Sequence, residues 1–189
     1  AIEGAAFGWD NPDKLPHGGF VWHTTGSGKT ITSFKTALFL STRAGFDKVI
    51  FLVDRRELDN RTSENFKAYA AYEAVSVDTT KRTYLLKKQL NTVKSGIVVT
   101  TTFKLNSLVK ELEENHDSSL ADKKFVFIID EAHRTTMGQM MGTIKNYFKK
   151  NSLFYGFTGT PLFDENIVKG KINEKSEVIN TTEKLFGPM

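Results

Sequence analysis

The chain has 189 residues and carries 26 lysines and arginines against 22 aspartates and glutamates, a formal net charge of +4. This length fits one domain with a full core, and the basic excess favours a polyanionic partner. The sequence contains no cysteine, which excludes disulfides and cysteine-based zinc sites. No apolar run approaches the ~20 residues that a membrane-spanning helix needs, and no signal peptide is recognisable. We therefore expect a cytoplasmic protein that does not bind membranes.

Strand and helix patterns alternate along the chain, which predicts βαβ units around a mostly parallel central sheet with helices on both faces. The predicted strands cover residues 19–22, 48–53, 97–101, 125–130 and 153–157, with a weaker one at 75–77. The predicted helices cover residues 29–44, 57–70, 80–90, 104–114 and 138–149. Residues 1–18 are interpreted as a lead-in, 19–163 as the α/β domain and 164–189 as a polar tail.

A glycine-containing turn joins the first predicted strand to the first predicted helix. Gly26 and Gly28 allow backbone N–H groups to turn toward an anion, and the helix N-terminus adds its dipole. Lys29 would reach the β- and γ-phosphates of ATP, and the Thr30 hydroxyl would bind Mg²⁺. The general phosphate-loop pattern begins with glycine, where this chain has His23. Such a turn by itself also suits an ordinary surface loop. The residues assigned to the ATP phosphates are Thr25, Gly26, Ser27, Gly28, Lys29 and Thr30.

Two carboxylates follow the apolar strand predicted at 125–130. Ligands of open α/β sheets bind at the carboxyl ends of the strands, where Asp130 and Glu131 lie in the sequence. Asp130 would hold Mg²⁺, and Glu131 would orient and deprotonate the attacking water. Alone, the pair also suits an acidic helix cap. A Gly-Lys-Thr loop and an Asp-Glu-Ala-His strand end in one chain together predict an NTPase site, in which Lys29 and Glu131 are catalytic.

Two further strand ends carry polar and basic groups that suit phosphodiester contacts. They can equally be helix caps, and both interpretations stay open. The candidate nucleic-acid residues are Asp54, Arg55, Thr101, Thr102 and Lys104.

The last predicted strand ends in a Thr-Gly-Thr-Pro turn. By itself this is an ordinary β-turn, but after an Asp-Glu-Ala-His strand it suits a functional element. We assign His133, Thr158, Gly159 and Thr160 to coupling, the transmission of the γ-phosphate state to the nucleic-acid track.

In this order, the motifs resemble the series of superfamily 2 helicases and translocases. The strings themselves most resemble the motor (R) subunit of type I restriction endonucleases, in which a histidine at the position of His23 is usual. The resemblance runs from about Gly19 to Pro161 and implies a first RecA-like P-loop NTPase domain. The resembling strings are residues 21–30, 51–55, 97–101, 129–134 and 156–161.

The resemblance implies a subunit that hydrolyses ATP with Mg²⁺ to pump duplex DNA before cutting it, as an ATP-dependent type I site-specific endodeoxyribonuclease. It would work with modification (methyltransferase) and specificity subunits. The nuclease carboxylates and a second motor domain with its arginine finger would lie outside this sequence, so we expect the chain alone to turn over Mg·ATP very slowly. Two alternatives remain. One is another superfamily 2 DNA or RNA helicase, and the other is a nucleotide-switched nucleic-acid-binding module without turnover.

Overall fold

The computed structural model describes residues 18–24, 27–42, 45–53, 75–77, 82–92, 96–130 and 135–159. The strands in these ranges are β1 (Gly18–Trp22), β2 (Lys48–Val53), β3 (Val75–Val77), β4 (Ile97–Thr101), β5 (Phe125–Asp130) and β6 (Leu153–Thr158). The helices are α1 (Lys29–Ser41), α2 (Thr83–Asn91), α3 (Thr102–Glu114) and α4 (Thr135–Phe148). Within the described ranges, no helix is long and apolar enough to cross a membrane.

The strands form one sheet in the order β1-β6-β5-β2-β4-β3, and every strand pair is parallel. Because all strands run the same way, their carboxyl ends open at one edge of the sheet. The last strand of the described chain, β6, lies between β1 and β5. The loop after β1 and the end of β5 are therefore separated by the width of one strand.

The two faces of the sheet carry separate apolar cores. On one face, Phe34 of α1 packs against side chains of β2, among them Phe51. The rings of Phe34 and Phe51 meet edge to face, with their centroids 6.0 Å apart. On the other face, Ile50 and Leu52 of β2 pack with residues of α2, α3 and α4. Successive residues of a strand point to opposite faces, and β2, β5 and β6 are buried at every position. Their continuous apolar runs are what a sheet covered on both sides requires.

The predicted α/β class, parallel sheet and two-sided helix cover are confirmed, including the weak strand at Val75–Val77. The helix boundaries differ by one to three residues at most of their ends. The start of α3 has a visible cause for its difference. This helix begins at Thr102 instead of Lys104 because Thr101 caps it. The helix predicted at 57–70, the lead-in at 1–17 and the tail at 164–189 lie outside the described residues.

Tyr155 of β6 is buried, and its hydroxyl has no hydrogen-bond partner among the residues that the structure describes. Burial raises the pKa of its phenol to about 12, against about 10 for an exposed tyrosine. Because the folded pKa exceeds the unfolded one, this residue's contribution to stability is full below pH 10 and is lost as the pH rises toward 12. The loss is at most about 1.4 kcal/mol per pH unit.

We expect Tyr155→Phe to make the free energy of unfolding fall less steeply between pH 10 and pH 12. Urea unfolding of the chain at several pH values measures this slope. Tyr84→Phe, on the exposed side of α2, is the matched control and should unfold with the slope of the unmodified chain. Identical slopes for Tyr155→Phe and the unmodified chain would contradict the expected titration.

Candidate functional site

The turn into α1 places a left-handed glycine at the N-cap. Gly28 has φ +85°, and a Cβ added there would contact nothing within 4 Å. Backbone conformation, not space, therefore requires glycine, because L side chains rarely adopt this region. Among the residues that the structure describes, no side chain caps α1, and the first turn of this helix carries no acidic residue. A helix N-terminus of this kind suits the binding of an anion.

Three side chains from two distant parts of the sequence meet beside this turn. The Thr30 hydroxyl donates a hydrogen bond to Oδ2 of Asp130 at 3.0 Å. The Lys29 ammonium lies 3.4 Å from the other carboxylate oxygen, and the two side chains are only 12% and 1% exposed. Burying a carboxylate this deeply is unfavourable unless a cation and hydrogen-bond donors lie beside it. Lys29 and Thr30 supply both, at the end of the strand that the sequence predicts.

The oxygen atoms of Thr30 and Asp130 fit a magnesium ion. A hydroxyl and a carboxylate are hard ligands of the kind that Mg²⁺ takes, usually with substrate phosphates and water completing its shell. The described ranges contain no cluster of three or more histidines, aspartates or glutamates that could hold a metal ion without such help. The donor set therefore suits a metal that is bound together with a phosphate ligand.

The end of β6 lies between the two motifs. The backbone N–H of His23 donates to the carbonyl of Thr158 at 2.9 Å, and the indole N–H of Trp22 donates to the carbonyl of Gly159 at 3.3 Å. Thr158 itself is fully buried and pairs with Trp22 across the strands. The Thr158–Gly159 turn thus contacts the chain that enters the phosphate-loop motif, which the linear order of the motifs does not reveal.

The His23 side chain also contacts the loop. Its Nδ1 lies within hydrogen-bond distance of the Ser27 hydroxyl, which in turn bonds to the carbonyl of Thr24. The backbone N–H of Ser27 bonds to that same carbonyl at 3.2 Å, closing a four-residue turn. In the sequence, His23 stands out only as a departure from the general pattern. The spacing of four residues from Ser27 is the one signal that could have predicted this contact.

The candidate nucleic-acid residues at the start of α3 have distinct environments. The hydroxyl of Thr101 accepts a hydrogen bond from the backbone N–H of Lys104 at 3.1 Å, so it acts as a helix cap. Thr102 is 4% exposed, and its hydroxyl finds no hydrogen-bond partner within the described part of the chain. Phe103, which no sequence motif singles out, is the large exposed side chain here, at 57%. Lys104 is half-buried.

We expect Thr101→Ala to lower the free energy of unfolding by about 1 kcal/mol, the usual effect of losing an N-cap oxygen. Thr101→Ser keeps the oxygen and should unfold like the unmodified chain. Urea unfolding of the three proteins measures both effects. Equal stability of the alanine and serine variants would show that the cap contributes nothing.

Several predicted site residues lie outside the described residues, so the structure does not place them. They are Thr25, Gly26, Asp54, Arg55, Glu131, His133 and Thr160.

The sequence profile of the SWI2/SNF2 ATPase family matches residues 8–189 of the chain. A type I restriction enzyme endonuclease subunit of Staphylococcus saprophyticus, SsaAORF53P, is 45% identical over 153 residues, covering 81% of this chain and 16% of that protein. The corresponding subunit SauCOLORF180P of Staphylococcus aureus is 43% identical over 171 residues, covering 89% of this chain and 17% of that protein. The chain thus spans about a sixth of the length of these relatives.

Solved structures share the fold at low sequence identity. The helicase domain of Pyrococcus furiosus Hef matches with a TM-score of 0.55 and 22% identity, over 80% of this chain and 32% of that one. A nuclease-deletion mutant of the type ISP restriction-modification enzyme LlaGI matches with a TM-score of 0.51 and 18% identity, over 84% of this chain and 17% of that one. These likenesses confirm the RecA-like α/β fold. On the strength of its profile match and its relatives, the chain belongs to the SWI2/SNF2 ATPase family and is a homologue of type I restriction enzyme endonuclease subunits.

Proposed function

We propose that this chain is the ATP-binding and hydrolysing motor domain of a type I restriction enzyme endonuclease subunit, and that it drives translocation of duplex DNA. The observation that carries the proposal is the meeting of Lys29, Thr30 and Asp130 beside the start of α1. The relatives, named as type I restriction endonuclease subunits, support the assignment to that system.

In this proposal the start of α1 binds the ATP phosphates. Backbone N–H groups at the start of α1 bind the anion, and Lys29 adds its positive charge to the β- and γ-phosphates. Lys29 already lies beside the buried Asp130 carboxylate, so this carboxylate holds the ammonium group at the phosphate site before ATP arrives.

The Thr30 hydroxyl and the Asp130 carboxylate would hold Mg²⁺, directly or through water. The ion, when bound, supplies positive charge to the β- and γ-phosphate oxygens. Glu131 follows Asp130 directly in the sequence. As general base, it orients the attacking water and accepts its proton.

The remaining carboxyl ends of the strands suit coupling and DNA contact. His133, Thr158, Gly159 and Thr160 transmit the state of the γ-phosphate. Asp54, Arg55, Thr101, Thr102 and Lys104 form the DNA track. For Thr101 and Thr102 the backbone amides at the start of α3 are the better candidates for the contact, because one hydroxyl is used as a cap and the other side chain is buried.

The whole protein that carries this motor is proposed to act with modification and specificity subunits in a bacterial or archaeal cytoplasm. Cleavage of DNA belongs to a nuclease domain outside these 189 residues, and the recognised DNA sequence belongs to another subunit. The net charge of +4 suits a polyanionic track.

ATP hydrolysis by the full-length protein, assembled with candidate partner subunits, tests this function. We expect duplex DNA to stimulate hydrolysis most strongly, and only in the presence of the partners. Stimulation by single-stranded DNA or RNA without partners would support a strand-separating helicase instead. Nucleotide binding without any turnover would indicate a nucleotide-switched binding module.

A further inference from the structure

The hydrogen bonds around Ser27 determine which nitrogen of His23 carries a proton. Ser27 has one hydroxyl proton, and it is directed at the carbonyl of Thr24, which can only accept. The Ser27 oxygen must therefore accept from Nδ1 of His23, so Nδ1 carries a hydrogen. The imidazole thus acts as a donor that holds Ser27 inside the turn closed by the Ser27–Thr24 backbone bond.

The backbone on the other side of this imidazole is fixed to β6. His23 donates its N–H to Thr158, and the neighbouring Trp22 indole donates to Gly159. One dipeptide thus contacts both the phosphate-loop turn and the end of the strand that lies beside Asp130. A shift of the Thr158–Gly159 turn would move the backbone of His23 and, through its ring, Ser27.

We propose that His23 is a positioning residue for ATP hydrolysis, and that Trp22 and His23 together link the phosphate-binding loop to the Thr158–Gly159 turn. The inference rests on the proposed ATP-driven motor function and adds two residues to it. His23 stands where the general pattern has glycine, so its ring supplies a contact that a glycine cannot make. A loop held in its binding shape before ATP arrives loses less conformational freedom on binding.

The first test compares three variants in the full-length protein with its partners and duplex DNA. His23→Gly restores the general pattern but removes the donor, and we expect it to raise the KM for ATP about tenfold, as loss of a well-placed hydrogen bond does. His23→Asn keeps an N–H donor on a short side chain and should stay within about threefold of the unmodified KM. His116→Asn, at an exposed position with φ 52°, is the control.

A double-mutant cycle with Ser27→Ala separates a direct contact from a general disturbance of the loop. If His23 acts through Ser27, the double variant His23→Gly/Ser27→Ala should raise KM no more than the larger single effect. An unchanged KM in His23→Gly, or multiplicative effects in the double variant, would overturn the positioning role. If His23→Gly does not fold, His23→Asn keeps the test decisive. A tenfold rise in the KM of His23→Asn for ATP would equally overturn the positioning role.

The link to β6 is tested with Trp22→Phe, which keeps an aromatic ring and removes the N–H that reaches Gly159. We expect the number of base pairs moved per ATP hydrolysed to fall, because the hydrogen bond that joins Trp22 to the Thr158–Gly159 turn is lost. An unchanged ratio would overturn the link. Absence of DNA-stimulated hydrolysis in the unmodified protein would instead contradict the proposed function, so the two failures are distinguishable.

Discussion

Replacing Lys29 with alanine in the full-length protein is expected to lower the kcat of DNA-stimulated ATP hydrolysis by about 10²–10³-fold, the usual effect of removing one group that stabilises transition-state charge. The ammonium group lies 3.4 Å from Asp130 and is largely buried. A fixed charge in such surroundings acts on phosphate more strongly than one in water. Steady-state hydrolysis at saturating ATP and duplex DNA measures the loss.

Lys35→Ala is the matched control for this variant. Lys35 lies on the same helix, α1, but is exposed to solvent, so its removal should leave kcat unchanged. The Lys29 variant also leaves the buried Asp130 with one cation fewer, and this loss lowers the folding stability of the variant. Circular dichroism should therefore confirm that both variants are folded at the assay temperature. Unmodified turnover in a folded Lys29→Ala protein would remove Lys29 from the mechanism.

The largest effect on stability is expected from Phe127→Ala, which should lower the free energy of unfolding by about 3–5 kcal/mol. Phe127 is fully buried in β5. Its ring stacks on that of Phe154, with the ring centroids 4.5 Å apart. The centroid distances to the rings of Phe148 and Phe125 are 5.1 Å and 6.2 Å. The substitution therefore removes a ring from the centre of an aromatic cluster and leaves a cavity that its rigid neighbours fill only in part.

Phe39→Ala provides the comparison for the core variant. Phe39 is 50% exposed on α1, so we expect its removal to change stability by no more than about 0.5 kcal/mol. Urea unfolding of the 189-residue chain measures both effects. A change below about 1 kcal/mol for Phe127→Ala would contradict the packing of β5 against β6 and α4 that the structure gives.

The strands were predictable because they are continuous apolar runs. The residues of β5, from Phe125 to Asp130, are buried at every position, and such a short continuous run is typical of a strand covered on both faces. The helix starts were less predictable, because they depend on capping. Thr101 could be read as a cap or as a nucleic-acid contact, and only its 3.1 Å bond with the Lys104 N–H shows that it caps α3.

The core of the site was predictable from motifs, whereas its connections were not. Lys29, Thr30 and Asp130 belong to residue patterns that imply a shared phosphate and metal site, and the structure brings their side chains together. The contacts of Trp22 and His23 with the end of β6 depend on the order of strands in the sheet. That order results from long-range packing, and local sequence patterns do not encode it.

We propose that ATP hydrolysis at this site moves the protein along duplex DNA. Displacement of a triplex-forming oligonucleotide, placed at increasing distances from the recognition site of the assembled enzyme, tests this proposal. We predict a lag before displacement that grows linearly with distance, requires Mg·ATP and disappears in Lys29→Ala. Hydrolysis of ATP with a displacement time that does not depend on distance would contradict translocation.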